Sequence, residues 1–332
     1  MQHVLIKDRD LNGWEYGMLR SFEKAIIKET NANRVEIPDY AYDKNVRKYF
    51  GHGMKRGQYR RYFPKHDFEI ETDVAWYILM GPENYRLDLY KNWDKGCKKK
   101  ILYLYDTLPS QYPLIKRLFS NNNWDILITS FNDAVADLES ITGRKWHCIE
   151  QAADADLFKP VPFTERVIHF SSYGRRHTAL HDALIEFCAV NKLYYDFTTH
   201  DGRHPTADST ELYKQYGWHL AHSLFTFSWP VELTNPQRAG HLKPVTCRWF
   251  EGVAAGTIIA GQPPANAAFN KYFGNDMVVK IEFNSTKKEY LKNLDVLFNK
   301  REEYHNAAIS RSNSLAPFIS WNERVKRILE LL

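Results

Sequence analysis

Short apolar runs of strand length alternate along this chain with longer stretches in which apolar residues recur every three or four positions. The first run, residues 3–6, precedes a helical pattern over 15–28, where Met18, Leu19, Phe22, Ala25 and Ile26 fall on one face. Strand-like runs follow at 33–37, 74–79, 101–105, 124–129 and 146–149. Helical stretches at 110–119 and 132–141 fall between the later runs, the second of them capped by Gly143. A second series then begins, with strands at 166–171, 193–197, 224–228, 257–260 and 277–281. Its helices lie at 176–190, 211–217 and 245–255, and residues 287–332 read as two or three amphipathic helices. Strand–helix alternation implies parallel sheets covered on both faces. The alternation occurs twice, and Pro160 and Pro162 interrupt it between the two series.

The pattern therefore predicts an α/β protein made of two Rossmann-like doubly wound domains. The expected divisions are 1–158, 159–310 and a terminal helix over 311–332 that crosses back to the first domain. The length of 332 residues agrees, because a single core rarely grows so large. Ligands of open α/β sheets sit beyond the carboxyl ends of the strands, so two such sheets place one cleft between them.

Composition refines this picture. No apolar run approaches the ~18 residues of a membrane-spanning helix, and charges interrupt the apolar residues at the N-terminus, unlike a secretory leader. Cys97, Cys148, Cys188 and Cys247 are widely spaced, which favours a reducing, cytoplasmic setting over a disulfide framework. The net charge of +5 is too small to argue for nucleic acid. It is nevertheless uneven: residues 44–66 are dense in Lys and Arg, hold His52 and His66, and contain no acid. Such a patch attracts phosphate or another anion, or serves simply as a solvated loop.

The clearest local chemistry lies in residues 243–261. Pro244 and Thr246 mark a helix start, and Arg248, Glu251 and Gly252 follow on its first turns. A helix N-terminus offers unpaired N–H groups and a positive dipole end, both suited to a diphosphate. Arg248 adds a bidentate donor, and Glu251 can accept two hydrogen bonds from a ribose diol. Without a ligand, the same segment reads as a tightly packed helix with a surface ion pair.

The run Arg248, Trp249, Phe250, Glu251, Gly252, Val253, Ala254, Ala255, Gly256, Thr257 resembles the C-terminal signature of GT-B glycosyltransferases. The similarity is to the retaining group-1 type and the related CgeB-like domain, and it extends over most of residues 165–332. Asp156, Phe158 and Pro160 resemble the interdomain hinge of that family, and residues 171–177 its strand-to-helix turn with a Gly followed by basic residues. The resemblance implies transfer of a sugar from a nucleotide-diphosphate sugar to a glycan or lipid-linked acceptor. By the same match Arg175 and Arg176 contact donor phosphates, a role that would also relieve two positive charges at a helix N-terminus. Gly13, in the turn before the first helix, takes the place of a loop that approaches the donor phosphates. One departure stands out: Lys243 occupies the position, eight residues before Glu251, where group-1 enzymes carry a sugar-contacting acid. Lys243 is then a phosphate ligand, and Glu232 and Asp106 become the candidate catalytic carboxylates.

His52, Arg56, Arg60 and Arg61 are the expected acceptor contacts, with an anionic glycan, a lipid-linked acceptor or an anionic membrane surface as partner. No His, Asp, Glu or Cys cluster has metal-site spacing, so neither metal nor cofactor is implied beyond the donor substrate. Two alternatives share the same shape: a nucleotide-sugar epimerase, which needs no acceptor, and a binding protein without catalysis, to which the missing acid at Lys243 lends weight.

Overall fold

The computed structural model describes residues 1–7, 14–38, 66–174, 177–198, 208–274 and 277–332. In the first half, β1 (His3–Lys7), α1 (Trp14–Thr30) and β2 (Asn33–Glu36) are followed by β3 (His66–Asp67), β4 (Glu71–Leu79) and β5 (Tyr90–Lys91). Then come β6 (Gly96–Leu104), α2 (Tyr112–Phe119), β7 (Ile126–Thr129), α3 (Val135–Thr142) and β8 (His147–Cys148). Six of these strands form one sheet in the order β2-β1-β4-β6-β7-β8, parallel throughout, while β3 and β5 pair separately. All five residues of β1 are buried, as a strand covered on both faces requires.

The second half opens with β9 (Ile168–Ser172), α4 (Thr178–Asn191), β10 (Tyr195–Phe197), α5 (Ser209–Ala221) and β11 (Ser223–Ser228). It continues through α6 (Val231–Thr234), α7 (Pro236–Ala239), α8 (Cys247–Ala254), β12 (Ile258–Gly261), α9 (Ala267–Phe273) and β13 (Val278–Lys280). Its sheet is also parallel, in the order β10-β9-β11-β12-β13. Helices α10 (Lys287–Asn299), α11 (Arg301–Leu315) and α12 (Trp321–Leu329) complete the chain. Thr286 and Glu289 form a reciprocal capping box that starts α10.

The amphipathic face expected of α1 is the buried one: Met18, Leu19, Phe22, Ala25 and Ile26 all lie in the core. Gly17, one turn from the start of α1, lets α5 approach so closely that an added Cβ would stand 2.2 Å from Tyr213 Cβ. Helix α12 returns to the first half. Trp321 stacks on Phe22 with ring centroids 4.5 Å apart, and Asn322 donates to Glu29 at 2.7 Å. The chain does not turn at residue 310, however, because α11 runs unbroken through it. Ser312 on α11 still donates to the Ala254 carbonyl of α8, so the crossing begins at the 3-10 turn Ala316–Phe318.

Two other differences have local causes. Strand β6 starts at Gly96 rather than at 101, because Lys98 and Lys99 stand in the strand with exposed side chains and Lys98 pairs with Asp73 at 2.7 Å. Helix α9 has seven residues, too few to establish a period. Its signal is the Asn266 cap, whose Oδ1 accepts from Ala268 N–H at 2.8 Å, and the buried Phe269 and Phe273.

Candidate active site

Strand order reverses direction in each sheet, between β1 and β4 in the first and between β9 and β11 in the second. At such switch points the loops leave to opposite sides and open a crevice at the carboxyl edge. The two crevices face each other. Met80 after β4 and Tyr105 and Asp106 after β6 form one wall of a cleft of about 260 Å³. Tyr173 and Gly174 after β9, Ser228 and Trp229 at the end of β11, and Thr246, Cys247 and Arg248 at the start of α8 form the other.

The local backbone explains this arrangement. Gly174 has φ +89°, and an added Cβ would lie 2.7 Å from Arg248 Nη2. The Arg248 guanidinium therefore rests in space that a side chain at position 174 would take, and the positive φ there favours glycine. Gly261, which ends β12, has φ +141°, and a Cβ there would lie 2.1 Å from the Ser228 carbonyl oxygen. This keeps the carboxyl ends of β11 and β12 in close register at the cleft.

Polar links across the seam fix the two walls. Arg238 on α7 donates to Asp106 Oδ2 at 2.6 Å. Gln151 bridges the halves: its Oε1 accepts from the Cys247 N–H at 2.6 Å, and its Nε2 donates to Ser130 Oγ at 3.0 Å. Asp133 Oδ2 accepts from the Lys243 N–H at 2.6 Å, and Asn266 Nδ2 donates to Asn132 Oδ1 at 3.0 Å. Behind the cleft, Glu150 accepts from Tyr272 at 2.9 Å and from Arg327 at 3.1 Å, so α12, α9 and the segment after β8 meet at one carboxylate. Burial works against the charged form of Glu150, but its hydrogen bonds and Arg327 outweigh that and hold the carboxyl below the ordinary range.

Of the residues singled out in the sequence, Asp106, Thr246 and Arg248 line the cleft together. Thr246 takes the N-cap position of α8 with extended backbone, but its side chain makes no capping bond. The others stand elsewhere. Lys243 holds the seam through its backbone and carries its side chain outward. Glu232 is half-buried and does not reach the cleft wall. Burial raises its pKa, with Asp133 adding to the effect, and its Oε2 has no hydrogen-bond partner among the described residues. Glu251 is fully buried beneath the cleft. Its Oε1 accepts from Tyr213 at 2.6 Å and its Oε2 from Tyr216 at 3.1 Å, so this arrangement does not present the carboxylate to a ribose. Gly13, His52, Arg56, Arg60, Arg61, Arg175 and Arg176 lie outside the described residues.

Four participants were not anticipated. Arg238 and Gln151 lie in segments without helical or strand period, and nothing local marks them as partners of Asp106 and Cys247. Tyr213 and Tyr216 sit at i and i+3 on α5, a spacing that reads as ordinary core. Among the described residues, no group of three or more His, Cys, Asp or Glu side chains could hold a metal ion, and no helix is long and apolar enough to cross a membrane.

No family model matches the chain, and no curated protein sequence does. Solved structures do match. HepE from Anabaena, crystallised in complex with UDP and glucose, superposes with a TM-score of 0.57 at 10% identity over 100% of both chains. A sucrose-phosphate synthase from Thermosynechococcus elongatus gives 0.54 at 10% identity over 100% of this chain and 98% of the other. The UDP-GlcNAc 2-epimerase from Neisseria meningitidis, bound to UDP-GlcNAc, gives 0.53 at 9% identity over 99% of each. The two parallel sheets, the cleft at their switch points and these superpositions together show that the chain has the GT-B fold.

Proposed function

We propose that the protein transfers a sugar from a nucleotide-diphosphate sugar to a glycan or lipid-linked acceptor. The observation that carries this reading is Arg248, set on the first turn of α8, against Gly174 and on the cleft wall opposite Asp106. A leaving diphosphate gains negative charge as the sugar departs. A guanidinium and a helix N-terminus, fixed in place beforehand, stabilise that charge without reorganising. The positive groups supply this without a metal. Asp106, on the facing wall, orients the acceptor hydroxyl and takes up its proton, with Arg238 holding the carboxylate in place. Closure of the two halves excludes water and limits donor hydrolysis. The basic stretch containing His52, Arg56, Arg60 and Arg61 supplies the acceptor side.

The test is turnover with UDP-, GDP-, ADP- and dTDP-linked sugars, each with and without a panel of glycan and lipid-linked acceptors. The expected result is nucleoside diphosphate release that depends on acceptor, and a loss of roughly 10²–10⁴ in kcat for Asp106→Asn with nucleotide binding retained. An epimer formed from donor alone would instead favour the activity named for the Neisseria structure of the same fold. Nucleotide binding with no turnover of any donor would point to a binding protein.

A further inference from the structure

A buried chain of hydrogen bonds runs from the cleft into the core of the second half. Arg248 Nη1 donates to Tyr216 Oη at 3.1 Å, and Tyr216 Oη donates onward to Glu251 Oε2 at 3.1 Å. Tyr213 Oη donates to the other carboxylate oxygen, Oε1, at 2.6 Å. The donor directions are mutually consistent, because a phenol oxygen can accept from one neighbour while its proton goes to another. The Arg248 guanidinium also stands over the Tyr216 ring, 5.3 Å from its centroid. Phe158, in the segment between β8 and β9, packs edge-on against Tyr213 and Tyr216 at 5.4 and 5.6 Å, which restrains both rings.

A buried carboxylate is costly unless it is hydrogen-bonded and balanced by a cation. Burial raises the pKa of Glu251, and the nearby Arg248 and two phenol donors offset part of that cost. Arg248 benefits in return. Burial alone would lower its pKa, and Tyr216 and Glu251 outweigh that and hold it above its ordinary value. A long flexible side chain is thereby held at the cleft end of the chain of bonds, where the missing Cβ of Gly174 leaves it room.

We infer that Glu251 and Tyr216 are positioning residues which fix the Arg248 guanidinium at the diphosphate site, and that Glu251 does not contact the ribose. The inference rests on the nucleotide-sugar reading for its ligand, but the Arg248–Tyr216–Glu251 link exists without one. It gives the acid of the Arg248–Thr257 run a role that departs from the ribose contact expected from its place in the sequence.

The test compares wild type, Tyr216→Phe and Glu251→Gln for binding of inorganic pyrophosphate, UDP and 2′-deoxy-UDP by calorimetry. Tyr216→Phe keeps the ring and its packing and removes only the hydroxyl, so it remains informative if Glu251→Gln folds poorly. Loss of one charge-assisted link is expected to weaken pyrophosphate and both nucleotides by a similar factor, about tenfold. Unchanged pyrophosphate binding, with loss of discrimination between UDP and 2′-deoxy-UDP in Glu251→Gln alone, would make Glu251 a ribose ligand and overturn the inference. A ligand-free measurement separates this from failure of the functional reading: a melting-temperature cycle of Arg248→Met, Glu251→Gln and the double variant. Coupling is expected, with Glu251→Gln costing less once Arg248 is gone, because the carboxylate has then lost its cation. Additive shifts would overturn the link. Coupled melting with no binding of pyrophosphate or UDP by wild type would keep the link and reject the diphosphate as its purpose.

Discussion

Gly174 and Arg248 illustrate how a site depends on an absent side chain. A β-carbon at position 174 would stand 2.7 Å from Arg248 Nη2, and the backbone there has φ +89°, which an L side chain rarely adopts. Gly174→Ala is therefore expected to displace the guanidinium and weaken nucleotide-diphosphate binding about tenfold or more, with a smaller effect on the melting temperature. Binding isotherms of wild type and variant, read beside their thermal transitions, check this. His305 offers a second prediction at this scale, remote from the cleft. Its ring is buried beside Arg166 and packs 5.3 Å from Phe163, and its Nδ1 has no partner among the described residues. Burial, with Arg166 adding to it, lowers its pKa from 6.5 to about 4. The folded state then binds fewer protons than the unfolded chain between those two values. Stability contributed by neutral His305 is thus present above pH 6.5 and lost as pH falls toward 4. Replacing His305 with Phe, which retains an aromatic ring beside Phe163, is expected to flatten that part of the acid limb in pH-dependent unfolding. A limb of unchanged slope would show that His305 does not carry it.

At the scale of elements, the two halves are joined by helices as well as by the segment between β8 and β9. Helix α1 of the first half packs on α5 of the second at Gly17, where a Cβ would meet Tyr213 Cβ at 2.2 Å and the Ser209 carbonyl oxygen at 2.7 Å. Neither is the flexible end of a side chain, so the helices must separate. Gly17→Ala gains helix propensity of about 1 kcal/mol, and the clash is expected to exceed it, for a net loss of roughly 1–3 kcal/mol in chemical unfolding. A variant as stable as wild type would mean that the seam between α1 and α5 yields easily. The period of α1 was legible because five apolar residues share its buried face. The start of α8 was legible from Pro244 and Thr246. Helix α9 and the short α6 and α7 were not, since four to seven residues cannot show a 3.6-residue repeat. Asn266 and Gln151 act through partners 134 and 96 positions away in sequence, a relation that local pattern does not carry.

At the scale of the molecule, the repeated strand–helix alternation was enough to anticipate two parallel sheets and a cleft between their carboxyl edges. Which residues would reach that cleft was less legible. Asp106 and Arg248 do, because each follows a strand end or opens a helix at the switch-point edge. Glu251 lies one turn along α8 from Arg248 on the same face, and that step carries its side chain away from the cleft mouth and into the core, onto two tyrosines that sequence reads as packing. Lys243 bonds across the seam only through its backbone, and Glu232 is half-buried away from the cleft wall. The central claim is that Arg248 at the mouth of α8 receives the diphosphate of a nucleotide sugar. The most direct measurement is a thermal-shift series with UDP-, GDP-, ADP- and dTDP-linked sugars, and a CMP-linked sugar as the monophosphate control, on wild type and Arg248→Met. At a ligand concentration of about 100 times Kd, binding to the folded state adds roughly 2.7 kcal/mol. The expected result is that at least one diphosphate sugar raises the wild-type melting temperature by several degrees, that the CMP sugar does not, and that Arg248→Met abolishes the shift. A shift retained in full by Arg248→Met, or no shift of wild type with any diphosphate sugar, would contradict the claim.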